Sequence, residues 1–291
     1  MNSKVNKYQN PSQNAASSSP QTHARLVKWG LIGFVLLYLS LVMLIPAANV
    51  FAQAFGGGID RFLQTFSDRA FLNAAKLTLV MALVCVPVNA VFGLSAAWLL
   101  GRNKRFPGRA FLITLIDLPF SISPVVAGLM LVLLYGRNGW FGAALAAGNL
   151  QIIFALPGML LATAFVSLPF VAREVLPVLE EMGDEPEEAA RTLGANDWQT
   201  FWRVTLPSVR WGLLYGLLLT NARAMGEFGA VAVVSGNIVG KTQTLPLFVE
   251  EAYKQYKTES AYSAAGVLAG LAVVTMVAKA LLEAKTGRRG H

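Results

Sequence analysis

The chain has 291 residues, 55% of them hydrophobic and 14% charged, with a mean hydropathy of +0.52, which is too apolar for a soluble domain of this length and implies several membrane crossings. Its formal net charge of +8 does not signal nucleic-acid binding, which needs basic residues clustered on one folded face. Here they fall in short segments between apolar runs, where they report topology.

Residues 1–24 are rich in Ser, Asn, Gln and Pro and hold too few large apolar side chains to offset the entropy of ordering, so a disordered cytoplasmic tail is expected. The apolar run 29–55 follows Arg25 and Lys28 and ends in Ala52-Gln53-Ala54, superficially a signal-peptide cleavage site. It is longer than a secretory core of roughly 7–15 residues and exceeds the about 20 residues that span a bilayer. It therefore reads as an uncleaved anchor, with an external loop running to residue 70.

Five further spans are predicted, at 74–100, 111–135, 152–171, 211–235 and 261–282. Six crossings place both termini on one side. The tail (Lys4, Lys7, Arg25, Lys28), the second-to-third loop (Arg102, Lys104, Arg105, Arg109), the fourth-to-fifth loop (Arg173, Arg191, Arg203, Arg210) and the C-terminus (Lys279, Lys285, Arg288, Arg289) hold most of the 24 Lys and Arg. By the positive-inside rule that side is the cytoplasm. Residues 71–283 form the main membrane domain and 284–291 a basic cytoplasmic tail. Cys85, the single cysteine, lies inside an apolar run and can form no disulfide within the chain.

Several spans carry interruptions. The third contains Asp117, Pro119, Ser121, Ser123 and Pro124, and prolines there free backbone carbonyls. Irregular backbone at membrane depth is tolerated where protein or a water-filled cavity satisfies it, so Ser121 and Ser123 are candidates for a substrate pathway, the alternative being a kinked packing helix. Pro87 and Asn89 in the second span and Pro157 in the fourth leave the same two readings. The fifth span carries Arg223 and Glu227 one turn apart, on one face. Each costs about 2.5–3.5 kcal/mol at a helix centre, so neither should face lipid. They either help an oxyanion across or form a structural ion pair or subunit contact.

The fourth-to-fifth loop holds half of the 16 acidic residues, from Glu174 to Asp197. Within 184–207, Asp184 or Glu185 can cap a short helix that Pro186 opens and Gly194 closes in the left-handed conformation. Asn196 or Asp197 can cap a second helix on which Trp198, Phe201 and Trp202 form one aromatic face, and Pro207 is expected to end it.

Glu188-Ala189-Ala190, Gly194, Val204 and Leu206-Pro207, at these spacings, resemble the EAA motif of permease subunits of type I ABC importers. The resemblance implies an all-α integral membrane fold of six transmembrane helices with cytoplasmic coupling helices that dock on an ATP-binding subunit. Glu188 would be the polar contact, Ala189 and Ala190 would allow close approach, Gly194 would turn the chain, and Leu206-Pro207 would lead into the fifth span. Val204 stands where the family usually has Ile and keeps the apolar role. Further stretches, DLPFSISPVVAGL, FVSLPFVAREVLPV and GKTQTLPL among them, are similar to sulfate and molybdate importer permeases, most closely to those for sulfate and thiosulfate. The implied assembly lies in a bacterial inner membrane and joins this subunit to a second permease of the same fold, two copies of an ATPase and a periplasmic sulfate-binding protein. ATP and Mg would be bound by the ATPase, and no cofactor by this chain. A molybdate or tungstate importer is the nearest alternative.

Other readings fare worse. Gly236 to Thr242, GNIVGKT, is one residue short of a phosphate-binding P-loop and lacks the flanking strand and helix. His23 and His291 lie in the tails, and no metal-ligand cluster or nucleophile triad is visible, which speaks against a membrane-embedded enzyme. A self-sufficient secondary anion transporter would typically carry an internal repeat, and none is seen.

Overall fold

The computed structural model describes residues 20–105 and 107–287, and among these all regular structure is helical. The described residues fall into two compact units that divide between Asn49 and Val50. In the first, α1 (Pro20–Leu39) leads through a π-helical turn, Ser40–Leu44, toward α2 (Ile45–Phe55). The expected disordered tail falls largely outside the described residues, but its last part is helical, because α1 begins at Pro20. Proline is tolerated in a first turn, where its missing N–H would have no partner. Within Val27–Phe55, Ala54 near the end is buried, while the most apolar 18 residues hold no buried residue, as befits a lipid-facing anchor.

The second unit continues with α3 (Ile59–Thr65), α4 (Arg69–Arg102), α5 (Arg109–Ser121), α6 (Pro124–Tyr135), α7 (Gly142–Ala147), α8 (Leu156–Ser167) and α9 (Pro169–Met182). It then forms α10 (Glu185–Thr192), α11 (Asp197–Thr200), a second π turn (Phe201–Thr205), α12 (Leu206–Met225), α13 (Gly229–Ser235), α14 (Leu245–Lys254) and α15 (Thr258–Gly287). Among the described residues, four helical stretches are long and apolar enough to cross a membrane, and up to six if each bent pair is one span. The bent pairs are α5 with α6, at 110°, and the helix from Asp197 to Met225 with α13, at 51°. The third span is thus a sharp break at 121–124, more than a proline kink. Its first leg ends where the Ile122 backbone turns extended, and Pro124 then opens the second leg.

Helix α9 is gripped from two sides by small residues. Gly93, Ala97 and Gly101 recur every fourth position on α4, and a Cβ on Gly93 would lie 2.6 Å from Val171 Cβ, one on Gly101 3.2 Å from Leu179 Cβ. On α12, Gly212 and Gly216 approach the Glu174 carbonyl and the Val171 Cα, each 2.8 Å from where a Cβ would stand. Small residues at this spacing let helix backbones meet closely where lipid offers no hydrophobic drive. Ala97, Val171, Val175, Leu179 and Val209 fill the seam.

Other boundaries differ from the sequence reading. The fourth crossing is Leu156–Met182, so Arg173, Glu174, Glu180 and Glu181, expected in a loop, lie on α9. The apolar face of Val171, Val175 and Leu179 continues past the first charge, and surface charges do not stop a helix that has a buried stripe. Pro157 opens α8 instead of interrupting it. Asn89 does not break α4; it donates to the Ala164 carbonyl (3.1 Å) and to Ser167 Oγ (2.8 Å), serving the junction where α8 gives way to Pro169. α15 reaches Gly287, into the expected basic tail, whose residues 288–291 lie outside the described ones.

Gly93→Val and Gly216→Val should each force α9 away from its neighbour and destabilise the chain by about 1–3 kcal/mol or more. Gly270→Ala, with nothing within 4 Å, should leave the thermal unfolding midpoint of the detergent-purified chain unchanged, and equal midpoints for all variants would contradict the close packing.

Candidate functional site

The acidic first turn of α10 holds Glu185, Glu187 and Glu188, which suits the positive end of a helix dipole. Two of these diverge. Glu188 is exposed, whereas Glu187 is 2% exposed and its Oε1 accepts from Arg102 Nη2 at 2.7 Å and from the Thr205 hydroxyl. Arg102 ends α4, and its side chain is only 11% exposed. Its Nη1 also donates to the carbonyls of Leu179 (3.3 Å) and Gly183 (3.0 Å) and to Asp184 Oδ1 (2.9 Å). The guanidinium thus satisfies carbonyls at the negative end of α9 while neutralising both acids at the head of α10. Its Nε is buried without a hydrogen-bond partner among the described residues.

Asp184 does not cap α10, contrary to expectation. It occupies the N-cap position without a side-chain cap bond, because Arg102 offers its carboxylate a charge-assisted bond, stronger than one from a backbone N–H. Gly194 has φ +91 and open space around it, and it closes α10 with a paired motif in which its N–H reaches the Arg191 carbonyl (2.9 Å) and that of Ala195 the Ala190 carbonyl (3.0 Å). Asn196 caps α11 as expected, in a reciprocal box with Gln199 at 2.8 and 3.1 Å.

Pro207 does not end the second helix. Helix continues from Asp197 to Met225 because the turn at Phe201–Thr205 widens, the Leu206 N–H bonding to the Phe201 carbonyl. That i to i+5 step makes room for a ring that would clash with the carbonyl four residues back. The same device precedes Pro46, where the Ile45 N–H reaches the Ser40 carbonyl. The aromatic face is present: Trp198 and Trp202 meet edge-on at 5.5 Å, and with Phe201 they form one wall of an apolar groove whose other wall is Val91, Leu94 and Trp98 of α4.

Glu188, Ala189 and Gly194 therefore lie on an exposed surface with Ala190 half-buried, and Leu193 at their centre is 89% exposed. Leu206-Pro207 is tied to them through the bond from neighbouring Thr205 to Glu187. Sequence reasoning missed Glu187, Arg102 and Thr205. No local signal marked them, because Glu187 lies 85 residues from Arg102 and 18 from Thr205, and only packing brings the three together.

The membrane candidates lie at the two breaks. A Cβ on Gly229 would stand 3.0 Å from Pro124 Cβ, so the break of the third span adjoins that of the fifth. Ser121 and Ser123 are exposed there. Arg223 Nη2 lies 2.9 Å from Glu227 Oε2, and Glu227, 2% exposed, also accepts from the Ala230 N–H (3.0 Å) that opens α13. In the glycine-lysine loop, Thr242 is buried and donates to the Ser235 carbonyl, so its hydroxyl braces the loop.

Residues 89–288 match the family described as the inner membrane component of binding-protein-dependent transport systems. The chain belongs to that family. All the motif positions, Arg102 and Glu187 fall within the matched segment. The chain is 67% identical over 261 residues, 90% of this chain and 94% of the relative, to the sulfate transport system permease protein CysW of Synechocystis sp.. It is 50% identical over 256 residues, 88% of each chain, to the protein of that name in Escherichia coli. Among solved structures, a bacterial ABC transporter involved in import of the acidic polysaccharide alginate is similar with a TM-score of 0.74 over 93% of this chain and 98% of that one, at 17% identity, which establishes the fold.

Removing one member of the buried network should be costly in proportion to the charge it strands. Glu187→Ala leaves Arg102 buried and under-paired, for an expected loss of about 3–5 kcal/mol, whereas Thr205→Val should cost about 1 kcal/mol. Thermal unfolding of the detergent-purified variants checks the order, and Thr205→Val costing as much as Glu187→Ala would refute it.

Proposed function

We propose that this chain is a permease subunit of an ATP-driven importer that carries sulfate across a bacterial inner membrane, with both termini and α10 in the cytoplasm. The observation that carries this reading is a surface, Glu188, Ala189, Leu193 and Gly194, that is exposed on a helix whose opposite side is clamped by Arg102. Such a surface suits a partner that pushes. The names of the CysW relatives support sulfate as the cargo. Orientation is supported by charge: Arg102 joins α10 to the basic segment holding Lys104, Arg105 and Arg109, so both lie at one end of the bundle, and the positive-inside rule favours the cytoplasm.

In this reading two copies of an ATP-binding subunit, which hold ATP and Mg, dock on α10 of this chain and of a second permease of the same fold. A periplasmic sulfate-binding protein delivers the anion to the opposite face. Two global states alternate, and each ligand biases them by its differential contacts. The clamp makes α10 move with α4, α9 and α12, so closure of the ATPases reaches the spans as a rigid-body displacement.

Proteoliposomes holding this chain, the second permease and the ATPase, with binding protein outside and ATP inside, provide the test. Gly194→Trp forces a bulky residue into a left-handed position, a strain of about 1–2 kcal/mol, on the docking surface itself. It should abolish sulfate uptake and reduce co-purification of the ATPase, while normal co-purification with full coupled uptake would overturn the assignment. Competition by thiosulfate, molybdate and tungstate separates the cargo alternatives, and uptake persisting without the ATPase would favour a secondary transporter.

A further inference from the structure

Helices α5 and α9 run antiparallel and are zipped by two ion pairs of opposite polarity. α5 carries Arg109 and, about two turns later, Asp117; α9 carries Glu180 and Arg173, and the pairs are Arg109 with Glu180 and Asp117 with Arg173. The first sits beside the Arg102 cluster, since Arg109 also donates to the Leu100 carbonyl. Both α9 partners lie inside Leu156–Met182, a stretch apolar enough to cross the membrane, Glu180 within a turn of its end and Arg173 about two turns further in. There the Arg173 side chain is 55% exposed and that of Asp117 31%.

A half-exposed ion pair at this position does not face lipid; charges within spans turn toward the bundle interior, a water-filled cavity or another subunit. Which way this one turns is indicated by its neighbours. Asp117, Phe120 and Ser121 stand at i, i+3 and i+4 on one helix face. The first two hold Arg173: Asp117 Oδ1 accepts from Nε at 2.7 Å, and the Phe120 ring lies 4.7 Å from Cζ. Ser121 is exposed on the same face, at the break of the third span. Asp117 takes one N–H of a fork that carries five. Arg223, by contrast, is paired with a buried carboxylate that opens α13.

We infer that Arg173, held by the α5 face that also carries Ser121, is an oxyanion contact on the cytoplasmic half of the transport route, and that Asp117 tunes it. This rests on the importer reading above. A lone guanidinium would hold a tetrahedral dianion too well to pass it on; the carboxylate at its Nε lowers the local positive potential while fixing the fork, and the ring beneath keeps the side chain extended. The pathway's cation is then Arg173, on a helix that the clamp couples to α10.

The test uses the complete reconstituted transporter with binding protein and labelled sulfate. Arg173→Gln should lower kcat for uptake by about tenfold or more, with assembled complex recovered at wild-type yield, and Arg173→Lys should fall between. Asp117→Asn should lower kcat and KM together, because the unneutralised arginine holds the anion longer. The double variant Asp117→Asn/Arg173→Gln, in which no charge is left unpaired, should be as defective as Arg173→Gln alone. Wild-type uptake by the double variant would overturn the inference, making the pair a structural link between helices or to the second permease; so would wild-type uptake by Arg173→Gln. If Arg173→Gln fails to assemble, the double variant carries the comparison. A wild-type complex that takes up another oxyanion but not sulfate would instead sink the cargo assignment, and the same variants are then read with that anion.

Discussion

Arg102 is the point on which the end of the bundle that carries α10 converges. It ends α4, bonds two carbonyls at the end of α9, pairs with Asp184 and Glu187 at the head of α10, and through Glu187 reaches Thr205 at the entry to α12. Desolvating a charge is expensive, and a buried pair offsets that cost through the further hydrogen bonds its groups make. Here four acceptors surround the two Nη groups of one guanidinium while Nε has no partner among the described residues, so losing any acceptor strands more of a buried charge. Shifting α10 alone would require breaking that set, and the lower-energy response to a force on α10 is for all four elements to move together.

The rest of the packing reinforces that rigidity near α9 and relaxes it toward the breaks. Small-residue stripes on α4 and α12 press backbone against α9 from two sides, and the α5 ion pairs hold it on a third. Where Pro207 threatened to interrupt the path from α11 into α12, a π turn keeps the helix continuous, so displacement at the loop is carried into the span. The breaks of 110° and 51° lie elsewhere, meeting at Pro124 and Gly229. Thus a stiff lever ends at a jointed region, a division suited to alternating access.

The apolar runs, the basic segments beside them, the left-handed Gly194 and the Asn196 cap were all legible in the sequence, because each is decided by residues within one or two turns of one another. Hydropathy measures a stretch, capping joins N-cap to N3, and a positive φ selects glycine locally. The motif spacing from Glu188 to Pro207 belongs to the same class, and it pointed to the family before any fold was known. Helix ends were less legible, since a run of apolar letters stops at the first charge whereas a helix with a buried face does not; Arg173 and Glu180 were misplaced for that reason.

What only the tertiary structure decided is which charges meet. Arg102 and Glu187 are 85 residues apart, Asp117 and Arg173 are 56 apart, and nothing in either neighbourhood names the other. A carboxylate's choice of partner depends on which guanidinium the packing brings within 3 Å and on how dry the site is. Asp184 shows the consequence, since it is a good cap by sequence and a poor one in the fold, because Arg102 arrives from another helix. The chain's own letters therefore determined its class, its apolar runs and the capped short helices of 184–207, while the contacts that clamp this segment to α4, α9 and α12, and that bring Arg173 to Asp117, arose from helices meeting in space.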